Sequence, residues 1–232
     1  MPLLIEARKS FMTSNLQRYR AYGAWTVLVC LLLAATFWFP LFHFLPLKQT
    51  QAQETQAEFN PTNYATSFWN KRLLKSLDRA AEAGQVLAAL TTDPPNARAQ
   101  FGRKLGVSSS TLFFLRGTGH VVAVKKNSVA LALKDGEETA DILLPTGLLF
   151  GNAVRDGTGL LDASEFPNSQ NFNDVSAELN HIVESTLLLQ LREKAKVGAK
   201  IFFAGCAEID DEETDVKPLK VIPVSLKLEA PK

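Results

Sequence analysis

Residues 110–134 read STLFFLRGTGHVVAVKKNSVALALK, and their period decides what kind of domain this chain builds. Apolar runs rich in Val, Leu and Phe alternate with small or polar residues, and Gly, Asn and Ser punctuate them at short intervals. Such runs suit half-buried strands rather than helices. The pattern predicts strands over Ser110–Arg116, His120–Lys126 and Val129–Lys134, a turn at Asp135-Gly136, and a further strand over Ala140–Leu144. Gly147–Val154 is expected to continue extended into an irregular stretch, Arg155–Asn171.

Working outward, the period changes. Phe172, Val175, Leu179, Ile182, Thr186 and Leu189 recur at three- and four-residue spacing, which predicts a helix capped by Asn171 or Asn173 and closed by Gly198. Two more strands follow, Lys200–Ile209 and Leu219–Glu229, joined by the acidic run DDEETD. Pro223 makes the last one an edge or bulged strand. Upstream, Asn60-Pro61 supplies a cap and a first-turn proline. Ala65, Phe68, Trp69, Leu73 and Leu77 then mark a helix ending near Gly84. A short helix over Gln85–Leu90 and another from Asp93-Pro94-Pro95 to about Gln100 complete this segment. The aromatic stripe suits a core-facing side, with a partner-binding face as the alternative.

Strands, one helix, then two strands is the order of a small Greek-key barrel of the OB type. The expected fold is therefore α+β: one N-terminal transmembrane helix, a short helical segment, then an OB-like antiparallel five-stranded barrel or sheet with one packed helix. The corresponding boundaries are 1–23, a basic cytoplasmic N-terminus; 24–45, the transmembrane helix; 46–58, a polar linker; 59–105, the helical segment; and 106–232, the β domain.

The membrane reading rests on AWTVLVCLLLAATFWFPLFHFL, which starts at Ala24. No Asp, Glu, Lys or Arg falls between Gly23 and Leu47. About twenty helical residues cross a hydrocarbon layer of roughly 30 Å. Trp25 and Trp38 suit the two interfaces. Arg8, Lys9, Arg18 and Arg20 against Glu6 give the head a balance of +3, which holds it in the cytoplasm and places the body outside. The competing reading is a cleaved leader, since Thr50-Gln51-Ala52 resembles a processing site, but the apolar run is longer than such leaders use. Both readings export the body.

Composition narrows the function. The 232 residues include 25 Lys plus Arg and 24 Asp plus Glu, a formal charge of +1, so the body carries −2. A nucleic-acid binder needs a basic surface, and none is expected here. The two cysteines are Cys30, in the apolar run, and Cys206, so the body cannot form an internal disulfide. His43, His120 and His181 form no zinc-type spacing with them, and neither metal nor cofactor is expected.

The densest polar stretch is Phe150–Asn173, FGNAVRDGTGLLDASEFPNSQNFN. Its glycines permit close approach, its Asn and Asp residues form turns, and it leads into a helix N-terminus. Asn152, Arg155, Asp156, Asn168 and Asn173 are the candidate ligand- or partner-binding residues. The opposing reading is a long structured loop with internal caps and an Arg155–Asp156 neighbourhood held by hydrogen bonds. Known motifs fail on inspection. Gly157–Asp162 ends in Asp where a dinucleotide fingerprint needs a small residue, no GK[ST] follows, and Asp162 and Glu165 lack calcium-loop spacing. Asp156 with Asp162 or Glu165 is the only basis for an envelope glycan hydrolase, and no residue is assigned as catalytic. Ser169 and His181 carry no sign of activation.

The runs FNPTNYATSFWNKRLLKSL (59–77), GLLFGNAVRDGTGLLDASEFPNSQNFNDVSAELN (147–180), VGAKIFFAGCAEI (197–209) and PLKVIPVSLKLE (218–229) resemble the bacterial predicted periplasmic lipoprotein family, domain of unknown function 2291. The resemblance spans about 59–229 and is most specific at FGNAVRD. It implies an exported protein, and, from the frequent placement of such members beside sugar ABC transporters, an accessory role. Many members carry a lipid-accepting cysteine before the Pro-containing spacer, where FHFLPLKQT has none; a retained helix would supply the same topology. The expectation is thus a non-enzymatic, single-pass inner-membrane protein, N-terminus inside, whose outer domain binds a small polar ligand, a sugar ABC transporter or its solute-binding protein.

Overall fold

A fourteen-residue strand, β3 (Thr111–Val124), is the spine of the domain. The computed structural model describes residues 59–105 and 109–230. The expected cytoplasmic segment, transmembrane helix and linker, 1–58, lie outside them. Among the described residues no helix is long and apolar enough to cross a membrane. The chain before β3 forms α1 (Pro61–Phe68), which runs on through a π turn (Trp69–Leu73) and a 3-10 segment (Leu74–Arg79). Then come β1 (Ala81–Glu82), α2 (Ala83–Thr92), α3 (Pro94–Phe101) and β2 (Gly102–Arg103). Asn60 caps α1 by accepting from the Asn63 amide at 2.9 Å, and Asp93 caps α3 through Asn96, as the sequence predicts.

After β3 come β4 (Ser128–Ala132), β5 (Ile142–Pro145), α4 (Ala153–Gly157) and a 3-10 turn (Ala163–Glu165). The long helix follows, α5 (Ser169–Ile182), continuing through a π turn (Val183–Leu188) into α6 (Leu189–Lys194). The chain closes with β6 (Lys200–Ile209), α7 (Glu212–Asp215), β7 (Leu219–Lys220) and β8 (Ile222–Glu229). β3 pairs antiparallel with β4 and β6, β4 with β5, and β6 with β8, while β5 pairs parallel with β7. Since β7 and β8 are separated by Val221 alone, this last segment links both ends of the sheet and curls it into a ring.

Among the described residues eight strands stand where five are expected. Two of the extra ones, β1 and β2, are short pieces of the helical segment that cover the free edge of β3. The two runs expected as separate strands before Lys126 are one. Gly117 and Gly119 do not break it but let it pass close to its neighbours. A Cβ on Gly117 would lie 3.0 Å from the Phe203 ring, and one on Gly119 2.9 Å from the Ala132 carbonyl. Pro223 does coincide with a bulge, where the β6–β8 register shifts between Ala204 and Gly205.

Two apolar layers result. Inside the ring lie Phe113, Leu115, Leu131, Ile142, Leu144, Ile201 and Leu219, with Val86 and Leu90 of α2 and Leu191 of α6 joining them. Outside, Phe68, Trp69 and Leu73, Val154 of α4, and Val175, Leu179 and Val183 pack with Ala204, Cys206, Ile222 and Val224. The aromatic stripe of α1 is thus core-facing. β6 is buried on both faces, which explains its nearly unbroken apolar run.

Other local expectations are corrected. Gly147–Val154 does not continue extended, because Gly151 turns the chain at φ +87° and α4 begins at Ala153. The cap of α5 is Asn168, whose side chain accepts from the Asn171 amide at 2.8 Å, so Asn171 and Asn173 lie inside the helix. Asn168 sits in extended backbone and takes the cap first. The helical stretch ends at Lys194 rather than at Gly198, whose φ of +83° serves the turn into β6.

Candidate functional site

Helix α4 carries the centre of the polar stretch, and it is a short wedge between α5 and the outer wall of β6. Arg155 and Asp156 are both buried. Adjacent in sequence, they form a two-pronged ion pair, Nε to Oδ1 at 2.7 Å and Nη2 to Oδ2 at 2.8 Å. The third guanidinium nitrogen donates to Asn173 Oδ1 at 3.0 Å and to the Phe172 carbonyl at 3.4 Å. The Phe172 ring lies over the guanidinium carbon at 3.7 Å. A buried charge needs a partner and filled hydrogen-bond positions, and Arg155 has both. Its Nη1 donors hold α4 to α5, while Nε and Nη2 are taken by Asp156 within α4.

The wedge is seated tightly. A Cβ on Gly157 would meet the Cβ and Sγ of Cys206 at 2.8 Å, so the helix approaches β6 as only glycine allows. Burial pushes the Cys206 thiol up to about 12, with a smaller contribution from the Asp156 charge.

The five candidate residues separate by location. Asn168 is a helix cap, and Arg155 and Asp156 form the clamp. Asn152 and Asn173, far apart in sequence, meet at a shallow cleft of about 550 Å³ between the loop 149–152 and α5. Glu178, Asn180, His181 and Glu184 also line it. The walls are fixed by hydrogen bonds. Leu149 N donates to Glu184 Oε1 at 2.6 Å, and the Gly151 carbonyl accepts from Asn180 Nδ2 at 3.0 Å and Ser176 Oγ at 3.3 Å. Sequence reasoning missed Glu178 and Glu184 and took His181 only as an unactivated base. For Glu184 the signal was present as a second stripe along α5 and its π turn, Asn173, Ala177, Asn180 and Glu184, beside the apolar one.

It also missed the rim. Leu148 and Phe150 are exposed at 74% and 82%, while Leu149 between them is buried at 7%.

The carboxylates of the glycan-hydrolase alternative have other employment. Asp162 caps the 3-10 turn, accepting from the Ser164 amide at 2.9 Å and its hydroxyl at 2.7 Å, and the backbone bond holds its carboxyl below the usual range. A general acid at neutral pH needs the opposite shift. Glu165 is paired with Arg72 at 3.1 Å and accepts from the Tyr64 hydroxyl at 3.4 Å. Burial, then the Glu165 charge, raises the Tyr64 phenol.

The ring order β3-β4-β5-β7/β8-β6, with a helix between β5 and β6, defines an OB-fold barrel. A crystal structure of an OB-fold protein from Thermotoga maritima is similar to this chain at 27% identity and a TM-score of 0.65, over 74% of this chain and 99% of that one. The chain belongs to the predicted periplasmic lipoprotein family DUF2291, whose model matches residues 27–227. The match thus reaches upstream of the domain into the apolar run. Family membership makes this an extracytoplasmic protein. No curated protein matches the sequence.

Proposed function

We propose that the chain is a single-pass inner-membrane protein, N-terminus inside, whose OB-fold domain is a non-enzymatic binding component that assists a sugar ABC transporter. The apolar run with its basic head supports the anchored topology. The observation that carries the binding role is the cleft, where Asn152, Asn173, Glu178 and His181 line one concavity. Planar amides and carboxylates match the hydroxyls of a small sugar, and the volume suits one or two rings. The same groups also suit a polar loop of a solute-binding protein.

The test is titration of the full-length chain in lipid nanodiscs with ribose, xylose and a set of solute-binding proteins, read by calorimetry. Binding is expected to weaken about tenfold for Asn152→Ala or Glu178→Gln, the loss of roughly one hydrogen bond each. Absence of binding to every member of the panel overturns the proposal.

A further inference from the structure

Leu148 and Phe150 are the two most exposed large apolar side chains among the described residues. They are displayed rather than loose. Buried Leu149 pins the loop between them, its amide is held by Glu184, and the Gly151 carbonyl is held by Ser176 and Asn180. A loop fixed by its own backbone bonds loses little order when its side chains are covered. Two neighbouring apolar groups presented this way call for something to cover them.

We propose that Leu148 and Phe150 insert into the outer face of the lipid bilayer. The inference rests on the anchored reading, and the sequence before the domain favours lipid over other occupants. The stretch 46–58 has thirteen residues and spans at most about 45 Å when extended, so an anchored domain stays within about that distance of the membrane. The chain enters the domain at Phe59, whose ring lies 5.7 Å from Phe166, which in turn lies 5.0 Å from Phe172 on α5. The residues of α5 and its π turn that hold the loop, Ser176 to Glu184, follow Phe172 by four to twelve positions. At helical rise that is about 6 to 18 Å along the axis. The entry point thus reaches, through Phe166, the helix that holds the apolar loop. Glu178 and Glu184 line the cleft beside the loop, so the contact is one of apolar partition rather than of attraction to anionic headgroups.

The experiment places the full-length Phe150→Trp variant in phosphatidylcholine vesicles, with and without dibrominated lipid, and subtracts the signal of the wild type. Val197→Trp, at a site 63% exposed in the turn before β6, is the control. The emission added by Phe150→Trp is expected to shift to the blue and to be lost to bromolipid. The emission added by Val197→Trp is expected to stay red and open to aqueous iodide. Adding phosphatidylglycerol should not increase the quenching, and Leu148→Ser in the Phe150→Trp background should reduce it. A chain that stays in vesicles after alkaline carbonate, but whose introduced indole at position 150 is red and iodide-accessible, overturns the lipid contact alone. An indole there that is shielded from both iodide and bromolipid overturns it in favour of a protein cover. A chain washed off by carbonate overturns the anchored reading and this one together.

Discussion

Within nine residues the chain inverts the usual arrangement twice. Leu148 and Phe150 stand in solvent, while Arg155 and Asp156 are buried. The difference between them is partnership. All three nitrogens of the Arg155 guanidinium donate to Asp156, Asn173 or the Phe172 carbonyl, and the Phe172 ring covers one face, so the buried charge is paired within the domain. Neither apolar side chain of the rim has such cover. A polar stretch that looks like a ligand loop can thus be the fastening of the fold, and the neighbouring greasy pair is what remains for an outside partner.

The largest expected effect breaks the buried half of that contrast. Arg155→Ala leaves Asp156 buried and unpaired and should cost about 3–5 kcal/mol, measured by denaturant unfolding. Arg155→Lys should recover only part, because an ammonium reproduces neither the fork nor the stacking. The matching change on the exposed half, Phe150→Ser, should leave stability within about 0.5 kcal/mol. If the two substitutions cost the same, the contrast is wrong.

Gly157→Ala tests how closely the wedge is seated. Its new methyl must displace Cys206, and an overpacking loss of about 1–3 kcal/mol is expected. A second change, Cys206→Ala, should offset part of it by removing the sulfur but not the Cβ. Asn168→Ala removes the α5 cap and should lower stability by about 1 kcal/mol in the same unfolding measurement.

The last effect is confined to alkaline pH. The Cys206 thiol has its ordinary value near 9 when unfolded and about 12 when folded. The unfolded chain therefore releases a proton first. The stability contributed by keeping the thiol neutral is complete below about pH 9 and falls as pH rises from there towards 12. Unfolding of the wild type and of Cys206→Ala, followed from about pH 7 to 11, should diverge only above about pH 9. Parallel curves would show that the thiol is not sealed behind α4.

How much was legible in the sequence follows from the range of the interactions involved. The caps at Asn60 and Asp93, the core-facing stripe of α1, the strands β4 to β6 and the bulge at Pro223 depend on neighbours in the chain, and periodicity reveals them. The fusion of two expected strands into β3 does not, since Gly117 looks like a break until Phe203 fills the space beside it. The same holds for Asn168: the spacing pointed to Asn171 or Asn173, and only the backbone conformation puts the cap at Asn168.

By itself, then, the sequence determined the barrel's strand-and-helix order, the charge asymmetry and the apolar stretch ahead of the domain, because all three are local properties of composition and period. Only the tertiary structure decided that Arg155 is a fastening, that Asn152 and Asn173 share a cleft with Glu178 and His181, and that Leu148 and Phe150 face outward. A side chain's burial and company depend on which distant segments pack beside it, and no local spacing records that.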